Sequence, residues 1–447
     1  MKSVEVIIIG GGLAGCEAAW QLLLRGHAVH LYEMKPQKFS PAHKMDHLAE
    51  LVCSNSLKSN SLDNAHGLLK EEMRRLNSLI VTTADKTAVA AGTALAVDRL
   101  QFAQNVEFQL KQQNKFSLTR GEVTEIPKNA VTIIATGPLT SDTLAQEIAQ
   151  MLGSSYLYFY DAIAPIAEAD SINMDKVYWA SRYDKGTPDY LNCPLSEEEY
   201  KRFRQKLLAG EKVAAKAFEE VKHFEGCLPI EVLAARGENT MAFGPMKPVG
   251  LVNPKTGLIP YAVVQLRREN SSGSLFNLVG FQTRLTWPEQ ERIFRLIPGL
   301  ENVHFARMGS IHRNTYINSP SLLLPSLQLK TNSQIFFAGQ ITGVEGYMES
   351  TAMGLLAGLN AAGLITGKEL YPPPGTTAIG SLLNYIASAE HAGSFQPMNI
   401  NFGLLEPLPG KKIKKKERTI LYVDRARQAL QKWINDRDLI GKKITGF

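Results

Sequence analysis

The stretch that most constrains this chain is Val4 to Glu33. Val4, Val6, Ile7, Ile8 and Ile9 form a short apolar run of the kind that makes a buried parallel strand, and Gly10-Gly11-Gly12-Leu13-Ala14-Gly15 follows without a spacer. Cys16 to Leu24 then carries apolar residues at helical spacing. Gly26 is placed to end that helix in a left-handed turn, and Ala28 to Tyr32 returns as a second strand ending in Glu33. This is the order of a βαβ unit. Glycines at 10, 12 and 15 allow a tight turn and close approach of a pyrophosphate to N–H groups at a helix N-terminus, while an acid about twenty residues on accepts hydrogen bonds from a ribose. The pattern predicts a dinucleotide site built from Gly10, Gly11, Gly12, Leu13, Ala14, Gly15 and Glu33.

At 447 residues the chain is too long for one simple core, so two or three units are expected. No apolar run reaches the eighteen or so residues of a membrane span, and Met1-Lys2-Ser3 leads straight into the first strand, so neither a span nor an export signal is expected. Cysteines at 16, 53, 193 and 227 are too far apart for a CxxC motif and too few for a disulfide framework, which fits a reducing cytoplasm, and no metal site is expected. The net charge of +6 is uneven. From Lys411 to Phe447 there are 12 Lys or Arg against 4 Asp or Glu, a local +8 that leaves −2 for the rest.

Met34 to Asn60 reads as a long, mixed and therefore functional loop. Leu68 to Leu79 reads as an amphipathic helix, and another begins near Arg99. Val131 to Ala135 is a third strand closed by Thr136-Gly137-Pro138, where a flavoprotein chain turns away beside its cofactor. From Tyr156 to Leu324 the pattern changes to short strands, aromatic clusters and a lysine-rich helix over Glu197 to Lys222, with no second glycine-rich nucleotide loop. Gln334 to Gly339 then restores an apolar strand before Gln340, Gly343, Gly346 and a small-residue helix from Glu349 to Ala362, which suits the second contact of an FAD-binding domain. The expected fold is α/β, an FAD-binding Rossmann-like domain of the glutathione-reductase type split by an inserted α+β domain. The expected divisions are 1–155, 156–324 and 325–447, the last with the basic C-terminal segment. Gly137, Gly339, Gln340 and Gly343 join the cofactor-binding set.

Five stretches narrow the reading further: L-V-C-S-N-S-L-K-S around Cys53, Asp189 to Pro194, Phe224-Glu225-Gly226-Cys227-Leu228-Pro229, His312-Arg313-Asn314-Thr315, and Ala338 to Tyr347. Together, in order between residues 4 and about 365, they resemble the folate- and FAD-dependent tRNA (uracil-5-)-methyltransferase family. The resemblance implies 5-methyluridine formation at the T-loop uridine, U54, of tRNA. The one-carbon unit would come from 5,10-methylenetetrahydrofolate, and its reduction from FADH2 recharged by NADH or NADPH. It matches Cys227 to the thiolate that attacks C6 of uracil and Cys53 to the base that takes the C5 proton. C5 is a poor nucleophile until something adds to C6, so both tasks are chemically required. Taken blind, a cysteine is more often a small buried hydrophobe, and Cys16 and Cys193 keep that structural reading. Arg284, His312 and Tyr347 are the candidates for a folate pocket, with a pterin stacking on the tyrosine and a glutamate tail on a cation.

A monomer that binds the tRNA T-arm and no membrane is expected. The same chemistry on 23S rRNA is an alternative, since every catalytic motif would be shared. An FAD-dependent oxidoreductase of a small molecule is a second alternative, disfavoured by the missing CxxC and missing second nucleotide loop, and a flavin-holding RNA-binding protein with inert cysteines is a third. Lys411, Lys412, Lys414, Lys415 and Lys416, ahead of a helix over Leu421 to Leu430, are read as a candidate RNA contact against the blander reading of a solvated charge cluster.

Overall fold

The structure, a computed structural model, describes residues 5–153, 157–184, 186–213, 228–368, 372–393, 395–409, 414–437 and 439. Cys227, Lys411 and Lys412 lie outside the described residues.

The central strand is β1 (Glu5–Ile9), with Val6 and Ile8 fully buried. It pairs in parallel with β2 (Ala28–Glu33) on one side and Thr132–Ile134 on the other, with Ile7 opposite both His30 and Thr132. Phe116–Arg120 extends the sheet beyond β2, and Asn332–Phe337 extends it beyond Thr132–Ile134, both in parallel; Gln328–Leu329 closes that edge antiparallel. The late strand therefore lies two places from the first one, so residues some 330 positions apart reach the same sheet end.

Helix α1 (Leu13–Leu24) is buried on every side because a second helix, Tyr347–Thr366, crosses it. Small residues allow that contact: a Cβ on Gly354 would sit 2.2 Å from the carbonyl oxygen of Ala14, and one on Gly358 would sit 2.7 Å from that of Ala18. The two N-termini are thereby brought to one end of the parallel sheet.

A second, wholly antiparallel sheet runs in the order 178–180, 190–195, 262–268, 275–278, 166–168, 305–307. It has its own apolar core, where Phe203 of helix Glu197–Ala209 packs against Phe281 and Phe294. An antiparallel pair, Leu157–Ile163 with Ser310–Tyr316, leads into and out of this region.

Three helical segments differ from the sequence expectation. The 68–79 segment is two helices, Ala65–Arg75 and Leu79–Lys86, because Asn77 takes a left-handed φ of 55° and the Ser78 side chain caps the second by accepting from the Val81 N–H. The helix starting at Glu197 stops at Ala209, where Gly210 turns extended in a slot that has no room for a side chain: its Cβ would lie 2.7 Å from Ile293. The C-terminal helix is longer than expected, Lys415–Arg437. Among the described residues no helix is long and apolar enough to cross a membrane.

Candidate active site

A cleft of about 1070 Å³ opens where β1 ends. The three glycines of the loop do three different things there. Gly10 has a φ of 107° and lies so close to the next strand that a Cβ would meet the Ala135 carbonyl oxygen at 2.5 Å. Gly15 presses the helix onto the turn, its Cβ position being 1.9 Å from the Gly10 carbonyl oxygen. At Gly12 a Cβ would meet nothing within 4 Å. The space beside Gly12 belongs to the cleft, and α1 begins there with no side-chain cap, so its first N–H groups point at whatever fills it. Glu33, 8% exposed, holds the turn: its carboxylate accepts from the Gly11 N–H at 2.8 Å and the Lys35 N–H at 3.0 Å. The Thr136-Gly137-Pro138 turn, with Gly137 at φ 68°, and Gly339-Gln340 wall the cleft from the two neighbouring strands.

A second chamber of about 1090 Å³ adjoins the cleft. Val52, Pro138, Leu139, Gln340 and Tyr347 line both cavities, so the two meet at these residues. Cys53 lines the chamber beside them and is partly exposed. The Tyr347 hydroxyl oxygen accepts from the Cys53 N–H at 2.7 Å and the Ser54 N–H at 3.2 Å, which fixes the cysteine's backbone against the start of the late helix. Burial pushes the Tyr347 hydroxyl well above its ordinary pKa, so it stays protonated. Glu349, fully buried in the chamber wall, carries its carboxyl at about 2. Burial alone would raise it; Lys58 at 3.5 Å and His66 at 3.2 Å outweigh that.

The sequence-expected residues divide cleanly by position. Gly10, Gly11, Gly12, Leu13, Ala14, Glu33, Gly137, Gly339, Gln340 and Tyr347 line the cleft; Gly15 acts from behind it by packing. Gly343 sits away from both cavities, with its Cβ position 2.4 Å from Phe395. Arg284 is in the antiparallel region, where its N–H donates to Glu231 and its Nη2 to the Val213 carbonyl, and it lines neither cavity; Gln282, two residues earlier, lines the chamber. His312 lies in the Ser310–Tyr316 strand opposite Asp161, and Asn314 of that strand reaches the chamber. Cys16 and Cys193 are fully buried, and burial raises both thiols far above their ordinary range, as inert structural cysteines require.

Sequence reasoning missed Arg99, Arg267 and Arg307, which surround the Cys53 loop. Each belongs to an element remote in sequence, and the only local trace was the polar Ser54-Asn55 pair that accepts from Arg267.

A parallel sheet whose central strand runs over a glycine turn into an uncapped helix, and whose late strand delivers a second helix to the same cleft, is the FAD-binding Rossmann-like class of α/β protein. The crystal structure of Aquifex aeolicus GidA shares this fold with a TM-score of 0.69 at 15% identity, over 98% of this chain and 74% of that one. The model of the family described as glucose inhibited division protein A matches residues 5–369. Proteins named methylenetetrahydrofolate--tRNA-(uracil-5-)-methyltransferase TrmFO are similar over nearly the full length: that of Syntrophus aciditrophicus is 62% identical, covering 97% of this chain and 98% of its own. That of Bacillus subtilis is 57% identical, covering 96% and 99%. The chain belongs to the glucose inhibited division protein A family and, within it, to the TrmFO methyltransferases.

Proposed function

We propose that this protein forms 5-methyluridine at the T-loop uridine, U54, of tRNA, using 5,10-methylenetetrahydrofolate as one-carbon donor and FAD recharged by NADH or NADPH. The observation that carries the reading is the position of Cys53 in a chamber that opens into the dinucleotide cleft, in a chain 62% identical to a protein of that name. The cleft fits FAD: Gly12 leaves a gap at a bare helix N-terminus for the pyrophosphate, and the Val52, Pro138, Gln340 and Tyr347 junction offers a flat, mostly apolar end for the ring. FAD, when bound and reduced by NADH or NADPH, would supply the hydride that turns a methylene into a methyl.

The remaining work falls to the chain. Cys227, as a thiolate, adds to C6 and makes C5 nucleophilic; once C5 carries the new carbon, Cys53 Sγ takes the C5 proton as the folate nitrogen leaves, and after the resulting methylene is reduced, loss of the Cys227 thiolate restores the ring double bond. Tyr347 holds the Cys53 backbone at the junction, and its ring is the surface on which a pterin would stack. His312 and Arg284, grouped with Tyr347 by their family motifs, are proposed as more distant folate contacts. Residues 1–155 and 325–447 are read as one FAD-binding domain and 156–324 as its insertion. The apolar core of the first runs to Ile148 and resumes at Tyr316, while that of the second spans Ala167 to Val303. The tRNA, folate and nicotinamide pools required are cytoplasmic, and we place the protein there as a monomer that docks the T-arm.

Mass mapping of 5-methyluridine in tRNA and rRNA from a strain lacking the gene tests the reading. Loss at tRNA position 54 is expected; loss confined to rRNA would move the target, and no loss in either would refute the activity.

A further inference from the structure

The Cys53 loop is held in an unusual setting: arginines reach it from three separate elements. Arg267, from strand Ala262–Arg268 of the antiparallel sheet and only 6% exposed, donates from Nη2 to Ser54 Oγ at 2.6 Å and from Nε to Asn55 Oδ1 at 3.1 Å. Arg99, at the start of helix Arg99–Lys111, donates from Nη1 to the Leu51 carbonyl at 2.7 Å and from Nη2 to the Cys53 carbonyl at 3.5 Å. Arg307, from strand Phe305–Arg307, donates to the Ala42 carbonyl at 3.5 Å. The Cys53 sulfur lies within the electrostatic reach of all three guanidinium groups.

The anions that face this loop are fewer. Glu269 pairs with Arg99 at 2.6 Å and is also the acid whose charge acts most on Arg267, so two of the three guanidinium groups share a single carboxylate. Tyr347 is protonated, and Glu349 in the chamber wall is already matched by Lys58 and His66. Glu345 accepts from Gln340 at 2.6 Å, on the far side of the junction, and Glu50 pairs with Lys35 at 3.1 Å. Arg267 and Arg307 remain as desolvated cations whose hydrogen bonds go to neutral oxygens, and burial lowers the pKa of each guanidinium without coming near to discharging it.

We propose that Arg267 and Arg307, with Arg99, are positioning residues that hold the Cys53 side chain as a thiolate, ready to accept the C5 proton. Three largely buried guanidinium groups that share one carboxylate favour formation of a further anion beside them, and the cysteine is the group placed to become that anion. The step balances simply: the thiolate gains one proton from C5 and becomes a thiol, the electron pair of the C–H bond forms an exocyclic C5=CH2 bond as the folate nitrogen leaves with the C–N pair, and addition of hydride to that carbon later lets the Cys227 sulfur leave C6 with the C–S pair as the ring double bond re-forms. The arginines also explain why the catalytic loop is tied to the antiparallel region at all. Two domains share one cysteine, so the flavin cleft and the thiolate are assembled together. This inference rests on the reading of Cys53 as the base.

The test is the pH dependence of Cys53 alkylation by iodoacetamide, followed by peptide mass mapping in the FAD-loaded protein so that Cys227 is scored separately. Arg267→Gln is expected to move the Cys53 midpoint upward by about one pH unit, the low end for removing one nearby charge, and so to leave roughly tenfold less thiolate below it. Arg267→Lys, which keeps the charge without the fork, is expected to recover most of that shift. Arg307→Gln breaks only one long hydrogen bond and guards against misfolding of the first variant; its expected shift is smaller, about half a unit. The acid limb of the methylation rate should move with the alkylation midpoint. Unchanged midpoints in both glutamine variants would overturn the proposal, as would an equal shift in Ser54→Ala, which removes the Arg267 hydrogen bond but keeps the charge. If the wild type itself shows no methylation of tRNA or rRNA, the functional reading fails first, and that outcome is separable from an unchanged midpoint in an active enzyme.

Discussion

The cleft and the chamber share a wall, yet they are built from different materials. The cleft is shaped by backbone: Gly10, Gly12, Gly15, Gly137 and Gly339 set its outline, and the first N–H groups of a helix face it. The chamber is made by side chains, Cys53, Ser54, Lys58, Gln282, Asn314 and Glu349, drawn from the Cys53 loop and the short strand after it, the antiparallel region, the strand pair and the late helix. A backbone site is fixed by local conformation and serves a ligand common to many proteins. A side-chain site depends on tertiary packing and can be specialised without disturbing the first.

That contrast can be broken or sharpened by substitution. The largest effect is expected at Gly15: a valine there would drive its Cβ into the Gly10 carbonyl, and the variant should fail to give folded, flavin-loaded protein, as judged by circular dichroism and absorbance. Gly12→Val should separate folding from binding, because its Cβ has open space. Near-wild-type melting of the FAD-free protein with loss of stoichiometric flavin is expected, and full flavin retention would place the pyrophosphate elsewhere.

Within the side-chain site, Tyr347→Phe removes the acceptor for two loop N–H groups. Leaving them unpaired costs about 1–3 kcal/mol locally, so the turnover number should fall about tenfold while flavin content stays within error. A fall in flavin content equal to the fall in rate would show that the two cavities are not separable.

The smallest effect is expected at the lysines of the basic C-terminal segment. Changing Lys411, Lys412, Lys414, Lys415 and Lys416 to Gln should weaken tRNA binding at low salt and flatten the slope of log affinity against log salt by roughly 0.7 to 0.9 for each phosphate no longer neutralised. The rate on saturating RNA should be unchanged. An unaltered slope would reduce the tail to a solvated segment.

What was legible in the sequence follows the same division. The glycine turn, the flanking strands and the late strand with its small-residue helix could be read because each is a local pattern with a local reason, as Gly354 and Gly358 show in letting two helices meet. The break at Asn77 was hidden because one left-handed residue interrupts an otherwise continuous amphipathic run. The arginine shell was hidden because Arg267 and Asn55 are 212 positions apart and nothing in either neighbourhood announces the other. Cys53 and Tyr347 were identified by family resemblance; the hydrogen bond that joins them, across 294 positions, could be seen only in three dimensions. Around Arg284 only the three-dimensional arrangement shows the local division: Gln282, two residues earlier, lines the chamber, while the Arg284 backbone N–H donates to Glu231 and its Nη2 to the Val213 carbonyl.

The central claim is that Cys53, poised between cleft and chamber, removes the proton from C5. Tritium release from tRNA labelled at C5 of uridine measures that step alone. The wild type should release tritium in step with methylation, and Cys53→Ala should lose release by about 10²-fold or more, the loss expected when a general base is removed. That variant should still form a covalent adduct on RNA carrying 5-fluorouridine. Release from Cys53→Ala at the wild-type rate would contradict the account.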